Sequence, residues 1–498
     1  MLSERYDIVV IGGGSAGLVA AVGAAKLGAR VALVERDKLG GDCLHTGCVP
    51  SKTFIRSARF ARETRRAGEF GFAPLDRRFE DDTFASVTER VARVVAAVGE
   101  RDAPEVFRAE GVEIVFGTPR FVSPRELEVT RRAPGGAGGI VDGDGDKTIL
   151  RARRFCVATG SSPAVPEIAG LREAGYVTNE EVFRLKSLPR SLVVLGGGPI
   201  GLELGQSFAR FGSRVTVVEM GERLLPKEDE EVSAAAGEFL RAEGVEILLG
   251  AKAVSASRVA GGGKIVTVEQ GGATRELRAE EILAATGRAP NVGELNLEAA
   301  GVRYDARRIF TDDYLRTTSR RVFAAGDVTG HFPFTHMAAY EGALVVRNAL
   351  FFRPLARRAD FRVVPWAIFT DPEIARVGLT EREARERFGA SRVRVYRAPF
   401  VENDRAHAEG STEGFAKLVC AGRKDRLVGA HLVGAHAGEL IHELVLAMRY
   451  DLPASSIGSL THAYPTLSQV AQKAGLDAAL AKLAPFKKLL ARYFELRR

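Results

Sequence analysis

Two stretches of this 498-residue chain carry the same pattern, and a sequence that carries it twice has few folds open to it. The first, YDIVVIGGGSAGLVAAVGAAKLGARVALVE from Tyr6 to Glu35, runs from an apolar segment at Ile8 to Ile11 into Gly12, Gly14 and Gly17. An Ala-rich helical stretch follows, then a second apolar run that stops at Glu35. That order predicts a βαβ unit built to take a dinucleotide. Gly12 allows the tight turn, Gly14 lets a pyrophosphate approach the helix N-terminus, Gly17 permits close helix-strand packing, and Glu35 can accept from a ribose hydroxyl. The second stretch, SLVVLGGGPIGLELGQSFARFGSRVTVVE from Ser191 to Glu219, repeats the spacing with Gly196, Gly198 and Gly201 and the terminal acid with Glu219. An α/β chain with two dinucleotide sites is the consequence.

After the first unit, Gly40 to Lys52 reads GGDCLHTGCVPSK. Cys43 and Cys48 flank a short turn containing Gly47, and Pro50-Ser51-Lys52 opens an apolar-periodic helix. Such a pair can close into a small, strained and reducible disulfide. A zinc site would need a second Cys or His pair close by, and the sequence offers none, so no metal centre is expected. Only four cysteines occur. Cys156 and Cys420 lie in apolar runs, where thiols serve as small hydrophobes, and one redox pair in a cysteine-poor chain suits a reducing cytoplasm.

The net charge is +8, but the signs alternate along the chain instead of forming a basic stripe, so nucleic acid is not an expected partner. No signal peptide precedes the first strand and no apolar run approaches the ~20 residues of a membrane span, which points to a soluble, cytoplasmic protein. Thr53 to Ala67 and Asp82 to Val98 read as two helices packed together, with their Arg-rich faces in solvent. Residues 131–147 are Gly- and Asp-rich and read as a flexible hairpin loop. Asp142, Asp144 and Asp146 in that loop lack the closing Glu of a calcium site, so the loop is read as structural. A carboxylate at the position of Glu219 repels a 2′-phosphate, and the nearest Arg is Arg223, so NADH is expected in preference to NADPH.

A third strand-turn element, Arg321 to Asp327, follows Ala285-Thr286-Gly287-Arg288. With the two fingerprints and the cysteine turn, in this order, the chain resembles the class I flavoprotein disulfide reductases, the family of lipoamide dehydrogenase, glutathione reductase and mercuric reductase. The resemblance spans Tyr6 to about Ala471. It implies an α/β fold with two Rossmann-like dinucleotide-binding domains and a C-terminal α+β dimerisation domain. The expected limits are 1–160 with 290–358 for FAD, 161–289 for NAD and 361–475 for dimerisation, with a helical extension at 476–498. Gly12, Gly14, Ser15, Ala16, Gly17, Glu35, Thr159, Gly160 and Asp327 would hold FAD. Gly196, Gly198, Gly201, Glu219 and Gly287 would hold the nicotinamide cofactor. Lys52 would lie near flavin N5, paired with Glu203. Cys48 would be the thiolate against the flavin, and Cys43 would attack a substrate disulfide or bind its metal. A homodimer is implied, each subunit completing the other's site.

Several positions depart from the family pattern. Asp42 and His45 stand where Thr and Asn are common. Each can cap or pack the turn, and His45 could also carry a proton, since imidazole suits that task near neutral pH. In THAYPTLSQ, Thr461 to Gln469, Tyr464 replaces the family's acid-base His and Gln469 its Glu. Tyrosine holds its proton at neutral pH and glutamine cannot ionise, so the dyad that stabilises a substrate thiolate is missing. Mercuric reductase also carries Tyr there, but this chain ends FELRR, without that enzyme's C-terminal cysteine pair. His462, two positions from Tyr464, is a candidate substitute. The last residues, Leu476 to Arg498, place Leu476, Leu480, Leu483, Phe486, Leu490 and Tyr493 at helical spacing opposite lysines and arginines. They read as a helix interrupted near Pro485 that packs on the dimer, with contact to a membrane surface as the alternative.

These features lead to an NADH-dependent FAD enzyme of the mercuric reductase-like branch, acting on a small disulfide or a thiophilic metal. A dihydrolipoamide dehydrogenase of a multienzyme complex is the alternative within the family, and a flavin-based redox sensor is the alternative outside enzymology.

Overall fold

The computed structural model describes residues 6–73, 81–131 and 146–498. The apolar run that opens the first fingerprint is strand β1 (Tyr6–Ile11), of which only Asp7 is not buried. A strand apolar on both faces belongs in the middle of a parallel sheet covered on both sides. The sheet contains β1, β2 (Val31–Glu35), β3 (Val112–Ser123), β4 (Glu126–Arg131), β5 (Lys147–Val157) and the strand Val322–Ala324. β1 lies between β2 and β5, with Ile11 opposite Val34 on one side and Val157 on the other. β3 pairs beyond β2 and Val322–Ala324 beyond β5, all parallel, so the strand order reverses next to β1. At such a reversal the ends of neighbouring strands open a crevice. β4 runs antiparallel to the ends of β3 and β5.

Helix α1 (Ser15–Lys26) starts from the fingerprint turn. Gly12 sits at φ +105°, a conformation that favours glycine. A Cβ on Gly17 would fall 1.8 Å from the Gly12 carbonyl oxygen, so only hydrogen fits where α1 crosses the strand. The second unit copies this: its parallel sheet runs Glu281–Ala284, Ser191–Leu195, Arg214–Val218, Glu246–Leu248, with the helix Pro199–Phe211 behind Gly198. The chain leaves the first lobe through Ser161–Pro163 and returns through Arg288–Pro290, and these two segments pair antiparallel. A third sheet of five antiparallel strands, between Pro365 and Gly434, is packed by the helices Ala437–Arg449 and Gln469–Leu483.

The redox turn forms α2 (Gly41–His45) and α3 (Cys48–Arg65), and α4 (Asp81–Gly99) packs on α3 as the periodicity predicts. Phe54 of α3 is fully buried, with Phe84, Phe183, Phe208 and Phe211 at ring-centre distances of 6.1, 5.8, 5.3 and 5.0 Å. This cluster ties the helix carrying Cys48 to the helix Pro199–Phe211 of the second unit. Such aromatic contacts each add about 0.5–1.5 kcal/mol beyond area burial.

The reading of α3's arginines as solvated is corrected. Arg59 pairs with Glu373 at 3.2 Å, and Arg62 with Asp371 at 3.1 Å and Glu243 at 3.5 Å. Arg210 completes the network on Asp371 at 2.9 Å. These cations face acids from two other segments, because α3 is wedged between the second unit and the third sheet. The loop 132–145, and Asp142 and Asp144 with it, lies outside the described residues; its flanking strands pair as a hairpin, with Thr130 opposite Lys147.

Candidate active site

The cysteine turn is held against the first fingerprint. A Cβ on Gly41 would lie 2.8 Å from the Cα of Gly14, so the redox turn and the first glycine turn touch backbone to backbone. Cys43 stands on α2 and Cys48 is the first residue of α3, both as thiols. Cys43's thiol donates to the Cys48 sulfur, which brings Cys48 down to about 6 despite burial. The Thr335 hydroxyl, 3.4 Å from that sulfur, and the Lys52 charge act in the same direction. The N-terminus of α3 offers a further favourable dipole. Cys43 is correspondingly pushed far above the ordinary thiol range, because its proton is engaged by Cys48. The pair is therefore one thiolate and one thiol. Cys156 and Cys420 are fully buried, and burial raises each to about 12, in keeping with inert apolar thiols.

One turn along α3, Lys52 donates to Glu203 at 2.9 Å, and the Phe369 amide donates to the other oxygen of that carboxylate at 2.8 Å. The ammonium also lies 4.5 Å from the centre of the Phe369 ring. The two fingerprint acids behave alike. Glu35 accepts from the amides of Gly13 and Asp37 at 2.7 and 2.8 Å, and Glu219 accepts from those of Gly197 and Gly221, both at 2.7 Å. Each carboxylate is thereby aimed across its own glycine turn, with lone pairs left for a ribose diol.

Gly12, Gly14, Ser15, Ala16, Glu35, Cys43, Cys48, Lys52, Thr159, Gly160, Gly198, Glu203, Gly287 and Asp327 line one cleft of ≈2880 Å³. Gly17, Gly196 and Gly201 stand behind it as packing positions of the two turns. A Cβ on Gly160 would meet nothing within 4 Å, and one on Gly14 only Gly41 at 3.8 Å, so the floor is open where a pyrophosphate would lie. Asp327 accepts from Ser161 at 2.6 Å, and burial raises its carboxyl above the usual carboxylate range. Backbone amides, an open glycine floor and a half-buried carboxyl for a polyol chain fit FAD.

Four contributors escaped the sequence reading. Arg288 donates to the side chain and carbonyl of Ser161 and reaches Asp42 at 3.2 Å, tying the redox turn to the segment that returns from the second unit. Asn179 donates to the Thr46 carbonyl at 3.1 Å. Glu341, 1% exposed, accepts from the Gly326 amide at 2.7 Å and sets the turn before Asp327. Thr335 is the fourth. Arg288 closes the quoted Ala285-Thr286-Gly287-Arg288 but was given no role there, so membership of a named motif was the available signal; the others come from unmarked stretches. His45 hydrogen-bonds the Leu39 carbonyl at 2.9 Å, so it holds the turn and is not bonded to either thiol.

The C-terminal candidates lie elsewhere on the chain and do not line this cleft. Tyr464 is exposed and donates to Asp404 at 2.9 Å, and that carboxylate raises its phenol further. Gln469 accepts from the Thr466 amide. His462 contacts the Glu443 carboxylate at 3.1 Å through Nε2. A histidine-carboxylate pair thus exists, with the acid 19 residues upstream on the helix Ala437–Arg449 instead of at position 469.

Sequence profiles and known proteins agree with this architecture. The profile for pyridine nucleotide-disulphide oxidoreductases matches residues 6–342, and that for their dimerisation domain matches 364–474. Mercuric reductase of Staphylococcus aureus is 35% identical over 485 residues, 96% of this chain and 84% of that protein. Dihydrolipoyl dehydrogenase of Bacillus subtilis is 32% identical over 481 residues, 96% of this chain and 98% of that protein. Among solved structures, the Cu(II) complex of the HOCl-induced flavoprotein disulfide reductase RclA from Escherichia coli superposes with a TM-score of 0.81 at 29% identity, covering 95% of this chain and 99% of that one. The dimerisation domain supports a homodimer, and no helix among the described residues is long and apolar enough to cross a membrane. With twin nucleotide folds, a thiol pair at the FAD cleft and these relatives, the chain belongs to the pyridine nucleotide-disulphide oxidoreductase family of FAD-dependent enzymes.

Proposed function

We propose that this enzyme is mercuric reductase-like, taking electrons from NADH and delivering them through Cys43 and Cys48 to a small disulfide or a thiophilic metal ion. Gly12, Gly14, Glu35 and Asp327 would hold FAD, which would supply a two-electron relay between NADH and the Cys43-Cys48 disulfide. The proton that travels with the hydride stays with the pair, giving a Cys43 thiol and a Cys48 thiolate, the form that the lowered Cys48 and raised Cys43 favour. Cys43, passing its proton to the departing thiol, then attacks a substrate disulfide, and the Cys48 thiolate attacks Cys43 to re-form the disulfide and expel the second product, which takes one proton from solvent. The balance is NADH, H⁺ and one disulfide in, NAD⁺ and two thiols out. A soft metal ion would instead be held by both sulfurs as substrate.

The observation that carries the branch assignment is Tyr464, hydrogen-bonded to Asp404 where a dithiol dehydrogenase needs a base. Its phenol keeps its proton and can donate to a departing thiolate or offer oxygen to a metal, but cannot accept a substrate proton at neutral pH. A dihydrolipoyl dehydrogenase reading is favoured by His462 on Glu443, which would restore that base.

NADH oxidation with lipoamide, glutathione disulfide, Hg²⁺ and quinones, on wild type, Tyr464→Phe, His462→Ala and Tyr464→His with Gln469→Glu, separates the two. Weak lipoamide turnover that rises in the double variant is expected, since a lost base typically costs about 10²- to 10⁴-fold. Rapid wild-type lipoamide turnover that survives Tyr464→Phe and collapses in His462→Ala would overturn the assignment in favour of the dehydrogenase. Absence of turnover with every acceptor would leave the redox-sensor reading.

A further inference from the structure

The helix Gln469–Leu483 buries Val470, Ala471, Ala474 and Ala478 against the third sheet and its helices and crosses the helix Ala454–Gly458 so closely that a Cβ on Gly475 would lie 2.5 Å from the Gly458 nitrogen. Its opposite side carries Leu476, Leu480 and Leu483 in solvent. The chain then turns through Ala484–Phe486 into a last helix, Lys487–Leu496, in which no residue is buried. Leu489 is 66% exposed, Phe494 55% and Leu496 81%. Large apolar side chains in a contiguous exposed face mark an interaction surface, since scattered single residues would not share one side of a helix. At 3.6 residues per turn, Leu489, Leu490, Tyr493, Phe494 and Leu496 share one arc, and Lys487, Lys488 and Arg492 occupy the other.

Charge decides what can cover that face. Residues 476–498 hold six cations, Lys482, Lys487, Lys488, Arg492, Arg497 and Arg498, against Asp477 and Glu495. Among the described residues no ion pair engages Lys487, Lys488 or Arg492, whereas most cations near the cleft are paired. Packing two such tails face to face would bring like charges together. An amphipathic helix with leucines and aromatics on one side and Lys/Arg on the other matches a negatively charged lipid boundary. The structure therefore points to an anchor: we propose that residues 476–498 seat this enzyme on an anionic phospholipid surface. The last helix lies in the plane of the boundary, with its leucine and aromatic face in the acyl region and its cations at the headgroups.

The test uses the full-length FAD-loaded protein, sedimented with vesicles of phosphatidylcholine alone or with about one-third phosphatidylglycerol. Binding to the anionic vesicles, weakening as salt rises, is expected. Lys487→Gln, Lys488→Gln and Arg492→Gln together should weaken it on the order of a hundredfold, about fivefold per cation. Leu489→Ser with Phe494→Ser should remove it, while flavin absorbance and NADH oxidation stay at wild-type levels in both variants, showing an intact fold. Equal binding to neutral vesicles, or none to anionic ones, overturns the proposal. So does conversion of dimer to monomer by truncation before Lys487, seen by light scattering, which would assign the face to a second copy of the chain. Neither the vesicle sedimentation nor the light scattering depends on the electron acceptor.

Discussion

Replacing Cys43 with alanine should strip Cys48 of most of its acidity. Cys48 is held at about 6 chiefly by the proton that Cys43 lends it, with Thr335 and Lys52 as smaller supports, against burial and the Asp42 carboxylate, which both oppose ionisation. With the Cys43 thiol gone, Cys48 should return to about 8.5 or above, the ordinary value for a thiol. At pH 7 the thiolate fraction then falls from about nine-tenths to about one-thirtieth. The assay is alkylation of the reduced protein by iodoacetamide from about pH 5 to about pH 9, with the modified cysteine located by peptide mass spectrometry. The midpoint of the rate profile is the informative quantity, because a thiolate of higher pKa is intrinsically more nucleophilic and masks part of the loss at any single pH. Thr335→Val should move the midpoint the same way by less. A midpoint still near 6 in Cys43→Ala would refute the reasoning and assign the ionisation to Lys52 and the helix end.

NADH should exceed NADPH in kcat/KM by about 1–3 kcal/mol of transition-state binding, because Glu219 is fixed by two amides where a 2′-phosphate would meet it; Glu219→Ala should narrow the ratio, and a wild-type preference for NADPH would show that the carboxylate does not face the ribose. His431, fully buried between Arg376 and Lys417 on neighbouring strands and close to Asp229, is pushed by burial down to about 4. The unfolded chain binds that proton at about pH 6.5 and the folded one does not, so this stability is complete above pH 6.5 and lost as pH falls towards 4. Urea unfolding at pH 7 and pH 5 should show wild type losing about 2 kcal/mol more than His431→Gln, and equal losses would contradict the assignment.

Local pattern was enough to reveal both nucleotide units, the redox turn and the interrupted C-terminal helix, since each rests on residues within a few turns of one another. Gly12 and Gly17 are constrained by the strand and helix they join, and the helix start at Cys48 is written in the residues beside it. The Lys52-Glu203 pair, 151 residues apart, was legible only through resemblance to a family, as nothing in either neighbourhood names the other. What the tertiary structure alone decided is which charges meet. Arg59 and Arg62 sit on a helix face that looks solvated, yet their acids arrive from about 310 residues away. The acidity of Cys48 draws on Thr335, 287 residues distant. Tyr464 and Gln469 showed that the usual dyad is gone, but not that His462 finds Glu443 on another helix. Backbone geometry propagates along the chain over a few residues, whereas ion pairing and burial depend on through-space distances that only the packed fold determines.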